Sequence, residues 1–425
     1  MRIAISGGHV IDPANNIDAV VDVFVDGGRI AALGRAPKGY KAERTINARG
    51  LHVIPGLVEL SARLGEPGYT HKGTIASETR AAAAGGVTTL CCPPDTLPVI
   101  DTPAVVELIH QRATASGRTR VVCLGALTRE LKGELLAGMG GLRQVGCVGV
   151  SNARVPIPNT EVMRRAMEYA ATIGMTVFLH AEDPWLAAQG HVHEGATSTR
   201  MGLPGIPETA ETISVARDLL LIEQTGVRAH FCRLSTSRSV AMVAEARRRG
   251  LPVTADVSVQ HLHLIDEDVV GYNSLCHVRP PLRGRRDRDG LRKALRKGVV
   301  TAMCCDHQPQ DRDAKKLPFD ATEPGVSALE TWLPLALRLV SEGVLDMPAA
   351  IASMTTAPAE ILGLEAGTLS EHAPADVCVF DANVQWVLTE DGLLSHGKNS
   401  PFLGQTMRGR VCYTLLGGVI VYEAA

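Results

Sequence analysis

Side chains able to carry hydrolytic chemistry occur along this chain in short patterns. His180-Ala181-Glu182-Asp183 and Asp306-His307 offer acid/base groups, His191-Val192-His193 and His261-Leu262-His263 have a spacing that can hold a metal, and Cys91-Cys92 and Cys304-Cys305 offer thiols. Metal-activated hydrolysis needs at least three protein ligands around an open position whose bound water is acidified to near neutrality. No single pattern reaches that number. Each cysteine pair follows an apolar strand-like run, and neighbours on a strand point to opposite faces, so one pair cannot chelate from one side; both read as buried, reduced thiols. The same alternation turns Asp306 and His307 apart and argues against a cooperating acid/base pair. The two His-x-His patterns lack further converging ligands and read as surface or capping histidines. His180 reads as a histidine kept to satisfy a buried hydrogen bond.

Groups of this kind need a scaffold, and the chain's periodicity predicts one. Strand-like runs at Val53–Ser61, Val87–Cys92, Arg120–Leu124, Val145–Val150, Thr176–His180, Ala229–Leu234, Pro252–Ser258 and Val299–Cys305 alternate with helix-length amphipathic segments such as Ser77–Ala84, Thr160–Ile173, Glu208–Gln224, Ser237–Arg248 and Asp287–Lys297. That alternation is the pattern of βα units around a parallel sheet, and eight of them predict an α/β fold of the (β/α)8 barrel type, with functional groups at the C-terminal strand ends. Short β-like runs at Arg2–Ser6, Val21–Val25 and Arg29–Leu33 return at Val377–Phe380, Gly409–Leu415 and Gly418–Tyr422. Neither end alone holds enough strands for a core, so the two are expected to combine into a small β-sandwich. The expected division is residues 1–54 and 359–425 for the sandwich and 55–358 for the barrel. The 425 residues, 45% hydrophobic with a formal charge of −2, give no electrostatic footprint for nucleic acid or a membrane surface. The start lacks a signal-peptide apolar region and no apolar run is long enough to span a bilayer, so the expected location is cytoplasmic.

The stretch from Pro55 to Gly68 resembles the metal-binding signature of type I dihydroorotases, Pro-Gly-x-x-Asp-x-His-x-His-x-Arg-x-Pro-Gly. Ser61 and Arg63 stand at the histidines and Gly65 stands at the arginine. Further family-like runs follow in order at Ala81–Thr89, Leu203–Pro207, Pro280–Arg283, Asp306–Pro309 and Ser395–Phe402, so the resemblance covers almost the whole chain. It implies an amidohydrolase-superfamily barrel whose metal site has eroded. His180 and Asp306 match retained ligands. Arg233 stands at a strand-six histidine ligand, and the strand-four aspartate is replaced around Ser151-Asn152-Ala153-Arg154. Among substrate contacts, Asp95 replaces an asparagine and reads as a carboxylate repelling dihydroorotate, while Arg279 and Gln310 replace an asparagine and a histidine. A carboxylated bridging lysine is excluded at its usual place, because no lysine occurs between Lys132 and Lys293.

A guanidinium has no lone pair to offer a metal and stays charged. Zinc is therefore expected to be absent, and Arg63 and Arg233 are expected to pair with Asp306, Glu182 or Glu59 in its place. Within the family, this length and pattern of ligand loss resemble the non-catalytic chains that accompany bacterial aspartate carbamoyltransferase. That resemblance implies an inactive subunit of pyrimidine biosynthesis, with the carbamoyltransferase catalytic chain as partner in an assembly of six copies of each. Two other readings stay open. One is an active metal-dependent cyclic amidohydrolase, converting dihydroorotate to N-carbamoyl-L-aspartate with a rearranged site. The other is a sensor of a pyrimidine-pathway ligand.

Overall fold

The computed structural model describes residues 1–424. Eight parallel strands follow one another around a barrel in chain order: β1 (Leu57–Glu59), β2 (Val87–Cys92), β3 (Arg120–Ala126), β4 (Gly149–Ser151), β5 (Thr176–His180), β6 (Ala229–Cys232), β7 (Val253–Ser258) and β8 (Ala302–Cys304). The ring closes just beyond β1 and β8, where Ala62 bridges His307 in parallel. There Arg63 N donates to His307 O at 2.9 Å and His307 N donates to Ser61 O at 3.1 Å. Helices on the outside begin at built caps. Thr74 Oγ1 accepts from Ser77 N and Thr74 N donates back to Ser77 Oγ ahead of Ile75–Ala84, and Asn159 accepts from two N–H groups ahead of Thr160–Thr172.

The barrel interior is apolar at its lower end. Val58, Cys91, Leu124, Phe178, Cys232 and Cys304 pack there against Ala359 and Leu362 of the helix Thr356–Leu362. This closes the floor and leaves the C-terminal strand ends as the open mouth. All ten cysteines are free and only Cys412 is not fully buried.

A four-stranded and a six-stranded sheet form the second layer system. Their shared core joins Ile3, Ile5, Val23, Val25 and Ile46 to Leu369, Val377, Val379 and Leu415, so each chain end supplies half of a core that neither could bury alone. The run Val53–Ser61 is not one barrel strand. It divides at Gly56: His52–Pro55 pairs antiparallel with Val377–Phe380 in the sandwich, and only Leu57–Glu59 enters the barrel. A Cβ at Gly56 would lie 2.2 Å from Thr88 Oγ1, so glycine is what lets the chain pass from one sheet to the other. The predicted strand Val145–Val150 shortens to Gly149–Ser151 because Gly146, at φ +95°, ends the preceding helical turn.

The segment between the long strands Val377–Val387 and Thr406–Leu416 folds back onto the barrel. Ser395 Oγ donates to Glu78 Oε2 at 2.6 Å, and Asn399 Nδ2 donates to Gln308 O at 3.0 Å and Gly325 O at 2.9 Å. Asn399 Oδ1 also accepts from Gln310 N at 2.9 Å. Asn399 thereby fixes the loop that leaves β8. Among the described residues no helix is long and apolar enough to cross a membrane. Replacing Asn399 by Leu strands two buried carbonyls and one N–H, so urea unfolding is expected to report a loss of about 3 kcal/mol or more; a change within ~0.5 kcal/mol would contradict the role given to this clamp.

Candidate functional site

The mouth of the barrel is organised around one carboxylate. Asp306, buried just past β8, receives Arg154 Nη2 on Oδ2 at 2.7 Å. Arg233 Nε and Arg63 Nη1 approach its Oδ1 at 3.5 and 3.8 Å. Ser61 Oγ donates to the same oxygen at 3.3 Å and accepts from Arg233 Nη1 at 3.1 Å. The expectation that Arg63 and Arg233 turn inward to a carboxylate is met at Asp306. Neither pairs with Glu59 or Glu182.

The backbone aims these groups. Ala153, Arg233 and Asp306, beyond β4, β6 and β8, hold left-handed conformations at φ 51°, 52° and 45°. Such conformations cost about 1–3 kcal/mol each in non-glycine residues, and persist where the surroundings over-determine them. Arg233 N donates to Asp256 Oδ1 at 2.6 Å, which pins the turn at the end of β6.

Burial alone would raise the Asp306 carboxyl, but Arg154, Arg233 and Arg63 hold it down at about 2. Burial pulls the Arg154 guanidinium down to about 9, opposed by Asp306 and reinforced by the two other arginines. Burial would lower the Arg233 guanidinium, and its surroundings, Asp306 foremost with Asp256 behind it, together hold it above its ordinary value. Glu59 lies apart from the arginines, accepting from Ser61 N, Cys305 N and Asp306 N at 2.9, 2.7 and 3.3 Å. With no cation in contact, burial pushes it up to about 8 despite those bonds.

Two further charge-matched pairs flank the cluster. Arg63 also donates through Nε to Asp95 Oδ2 at 2.8 Å, so Asp95 is held by a neighbour instead of standing as a free repelling carboxylate. Arg279 donates to both oxygens of Glu182 at 2.9 and 2.6 Å. Burial would raise Glu182, and its contacts to His180 and Arg279 bring it to about 2. His180 Nε2 stands 3.8 Å from Glu182 Oε2 and has no hydrogen-bond partner among the described residues, so the buried hydrogen bond expected of this histidine is not made at Nε2; burial lowers its pKa.

The remaining positions singled out in the sequence lie around this centre without joining it. Asn152 turns away, accepting from Thr128 Oγ1 at 2.7 Å and donating to Leu131 O and Val155 O. Arg154, two residues on, is the side chain of that run which enters the cluster. Gln310 is buried, donates to Pro324 O at 2.8 Å, and lines a cavity of about 340 Å³ together with Arg63, Tyr69, Lys72, Asp95 and Thr96. Gly65 sits at φ +73°, where a Cβ would meet Gly73 O at 2.1 Å, so this backbone has no room for the arginine of the dihydroorotase signature.

The histidine patterns need correcting. His261 is buried, bonded to Ser258 Oγ at 2.6 Å and to Pro280 O at 3.1 Å, and His263 reaches Leu335 O at 3.0 Å, with burial lowering it to about 3. They are interior groups because the single turn Val259–Leu262 folds back over the end of β7. His193 is likewise partly buried and accepts from Arg283 Nη1 at 3.1 Å. Asp306 and His307 do diverge, since His307 Nδ1 accepts from Ala328 N and its Nε2–H donates to Glu78 Oε2 at 2.9 Å.

The residues at this centre do not fit the divalent ion that the dihydroorotase resemblance implies. Of that ligand set only His180 and Asp306 remain, and Asp306 is already engaged by three cations that repel a metal. Among the described residues one other trio, His230, Cys232 and Asp256, has donor atoms within 4.8 Å of one another. It is no better: both His230 nitrogens are committed to Thr254 Oγ1 and Asp256 Oδ2 at 2.8 Å, and burial drives the Cys232 thiol well up.

The dihydro-orotase-like family profile matches residues 50–239. The chain is 51% identical over 422 residues to a dihydroorotase-like protein of Pseudomonas putida, covering 99% of both chains. It is 50% identical to a dihydroorotase-like protein of Pseudomonas aeruginosa over the whole of both, and 42% identical over 423 residues to a dihydroorotase of Geobacter metallireducens. In fold it is similar to the L-hydantoinase of Arthrobacter aurescens, with a TM-score of 0.88 at 22% identity, covering 99% of this chain and 96% of that one.

Asp306→Asn leaves three buried guanidinium groups without their shared carboxylate. Unfolding at pH 7 is expected to show a loss of about 3–5 kcal/mol. Because the folded carboxyl ionises well below the unfolded value of about 4, its stabilisation is complete above that pH and fades as pH falls toward 2. The variant should lack that part of the acid transition. An unchanged acid profile would contradict the assignment.

Proposed function

The chain belongs to the dihydroorotase-like family, and on that premise we propose that it is a non-catalytic member of the family, serving pyrimidine biosynthesis as a structural subunit of aspartate carbamoyltransferase. The observation that carries this reading is the engagement of Asp306 by Arg63, Arg154 and Arg233. A general base working beside a metal needs an unencumbered carboxylate and an open coordination position. Here the carboxylate is locked into ion pairs, and the position facing it is filled by fixed positive charge.

The substrate side is altered in the same sense. A dihydroorotate carboxylate would meet Asp95 already bound to Arg63, and Gly65 offers no guanidinium to replace it. With catalysis gone, what the fold retains is a rigid barrel and sandwich able to present a constant outer surface. The proposed use of that surface is to hold carbamoyltransferase catalytic trimers in an assembly of six copies of each chain. No zinc is required for this role.

The competing reading, an active cyclic amidohydrolase, is favoured by the full-length dihydroorotase relative of Geobacter metallireducens at 42% identity. It requires a metal and a ring-opening activity. Affinity purification of the tagged chain from its native host is expected to recover aspartate carbamoyltransferase in a large complex, with no dihydroorotase activity in the chain itself. Recovery of the chain alone, with ring-opening activity, would overturn the proposal.

A further inference from the structure

Outside the barrel mouth, the loop that follows β8 and the returning segment 390–403 enclose a cavity of about 430 Å³. Gln310 stands in the wall of both this cavity and that of the mouth. Four basic side chains line it, Arg312, Lys315, Lys316 and Lys398, against two acidic ones, Asp311 and Glu390.

Two of these lysines are unusual in their partners. Lys315 is 9% exposed, and its Nζ donates to Ser274 O at 3.0 Å and His277 O at 3.2 Å. Lys398 Nζ donates to Leu393 O and to Ser395 O. Among the described residues neither has a carboxylate within ion-pair distance. An ammonium carries three N–H groups, so each keeps one donor beyond its two carbonyls. A buried cation without a counter-charge is costly, and burial brings Lys315 down to about 7, only partly opposed by Glu323. Burial also keeps the Cys276 thiol neutral, raised to about 12.

The other two basic groups stand at the exposed rim. Arg312 pairs with Glu390 at 3.2 Å and Lys316 with Asp313 at 3.2 Å. Exposed pairs of this kind are weak and exchange readily for a stronger anion.

We propose that this cavity binds a phosphate group, carried by a small phosphate monoester or supplied as free orthophosphate. A phosphate bears about two negative charges at neutral pH and several acceptor oxygens, which suits a wall of four basic side chains better than one carboxylate does. The volume exceeds what a lone phosphate fills, and Leu275 and Leu403 offer an apolar wall for an organic body. The site is separate from the Asp306 cluster and stands whether or not the carbamoyltransferase reading holds.

Isothermal titration of the full chain at constant ionic strength, with orthophosphate and separately with ribose 5-phosphate, tests it. Saturable binding of one equivalent is expected. Ribose 5-phosphate binding more tightly assigns the site to monoesters, and equal or tighter binding of orthophosphate assigns it to the free ion. The double variant Arg312→Gln/Lys316→Gln should keep the wild-type melting temperature, since both residues are exposed, and bind about tenfold or more weakly. Lys315→Met should abolish binding, and Arg165→Gln, on a distant helix, should leave it unchanged. Absence of saturable binding by either probe, or an affinity unchanged in the rim double variant, overturns the proposal.

Discussion

The sharing of Asp306 among three guanidinium groups is the constraint on which the barrel mouth depends. A carboxylate sealed inside a barrel without a cation would be expelled or protonated, because moving an ion out of water costs several kcal/mol even after relaxation. Here Arg154 holds one oxygen at 2.7 Å, while Arg233, Arg63 and Ser61 surround the other. Fixed organic cations do the electrostatic work that a bound divalent ion does in a metal-dependent hydrolase. They differ in one respect that matters for chemistry: a guanidinium presents donors only, and leaves no open position at which a water is made acidic.

The surrounding substitutions make sense as parts of the same arrangement. Arg63 divides its guanidinium between Asp306 and Asp95, and Arg279 closes on Glu182 beside His180. Each new positive charge lies beside an acidic group, while Arg63 Nη1, Arg154 Nε, Arg233 Nε and His180 Nε2 are buried without a hydrogen-bond partner among the described residues. The left-handed backbone at Ala153, Arg233 and Asp306 is retained although it is strained, because those turns aim the side chains that hold the network together. Outside the ring, Asn399 fixes the loop leaving β8 at Gln308 and Gln310.

Much of this was legible in the sequence. The βα alternation announced the barrel, and the pairing of the two chain ends followed from neither having enough strands alone. The arginines at 63 and 233 were readable as cations that turn inward to a carboxylate, and both reach Asp306. What sequence could not supply was pairing across the barrel. Asp95 reads as repulsive until Arg63 is seen 2.7 Å away. Arg154 was in plain view beside Asn152, but the left-handed turn at Ala153 decides which of the two points inward. His261 and His263 gave no signal of burial because the fold-back after β7 is a single turn with no periodicity to read. The break at Gly56 was hidden for a related reason, since two apolar strands in different sheets run together as one stretch.

We propose that guanidinium charge stands at this centre in place of a metal. Its most direct test is the zinc content of the purified full-length chain by inductively coupled plasma mass spectrometry, after incubation with excess zinc and removal of the free ion. Far less than one zinc per chain is expected, with no difference between the native protein and a His180→Ala variant. Stoichiometric zinc that is lost in His180→Ala would contradict it, and would mean that the arginines turn aside to let a metal in.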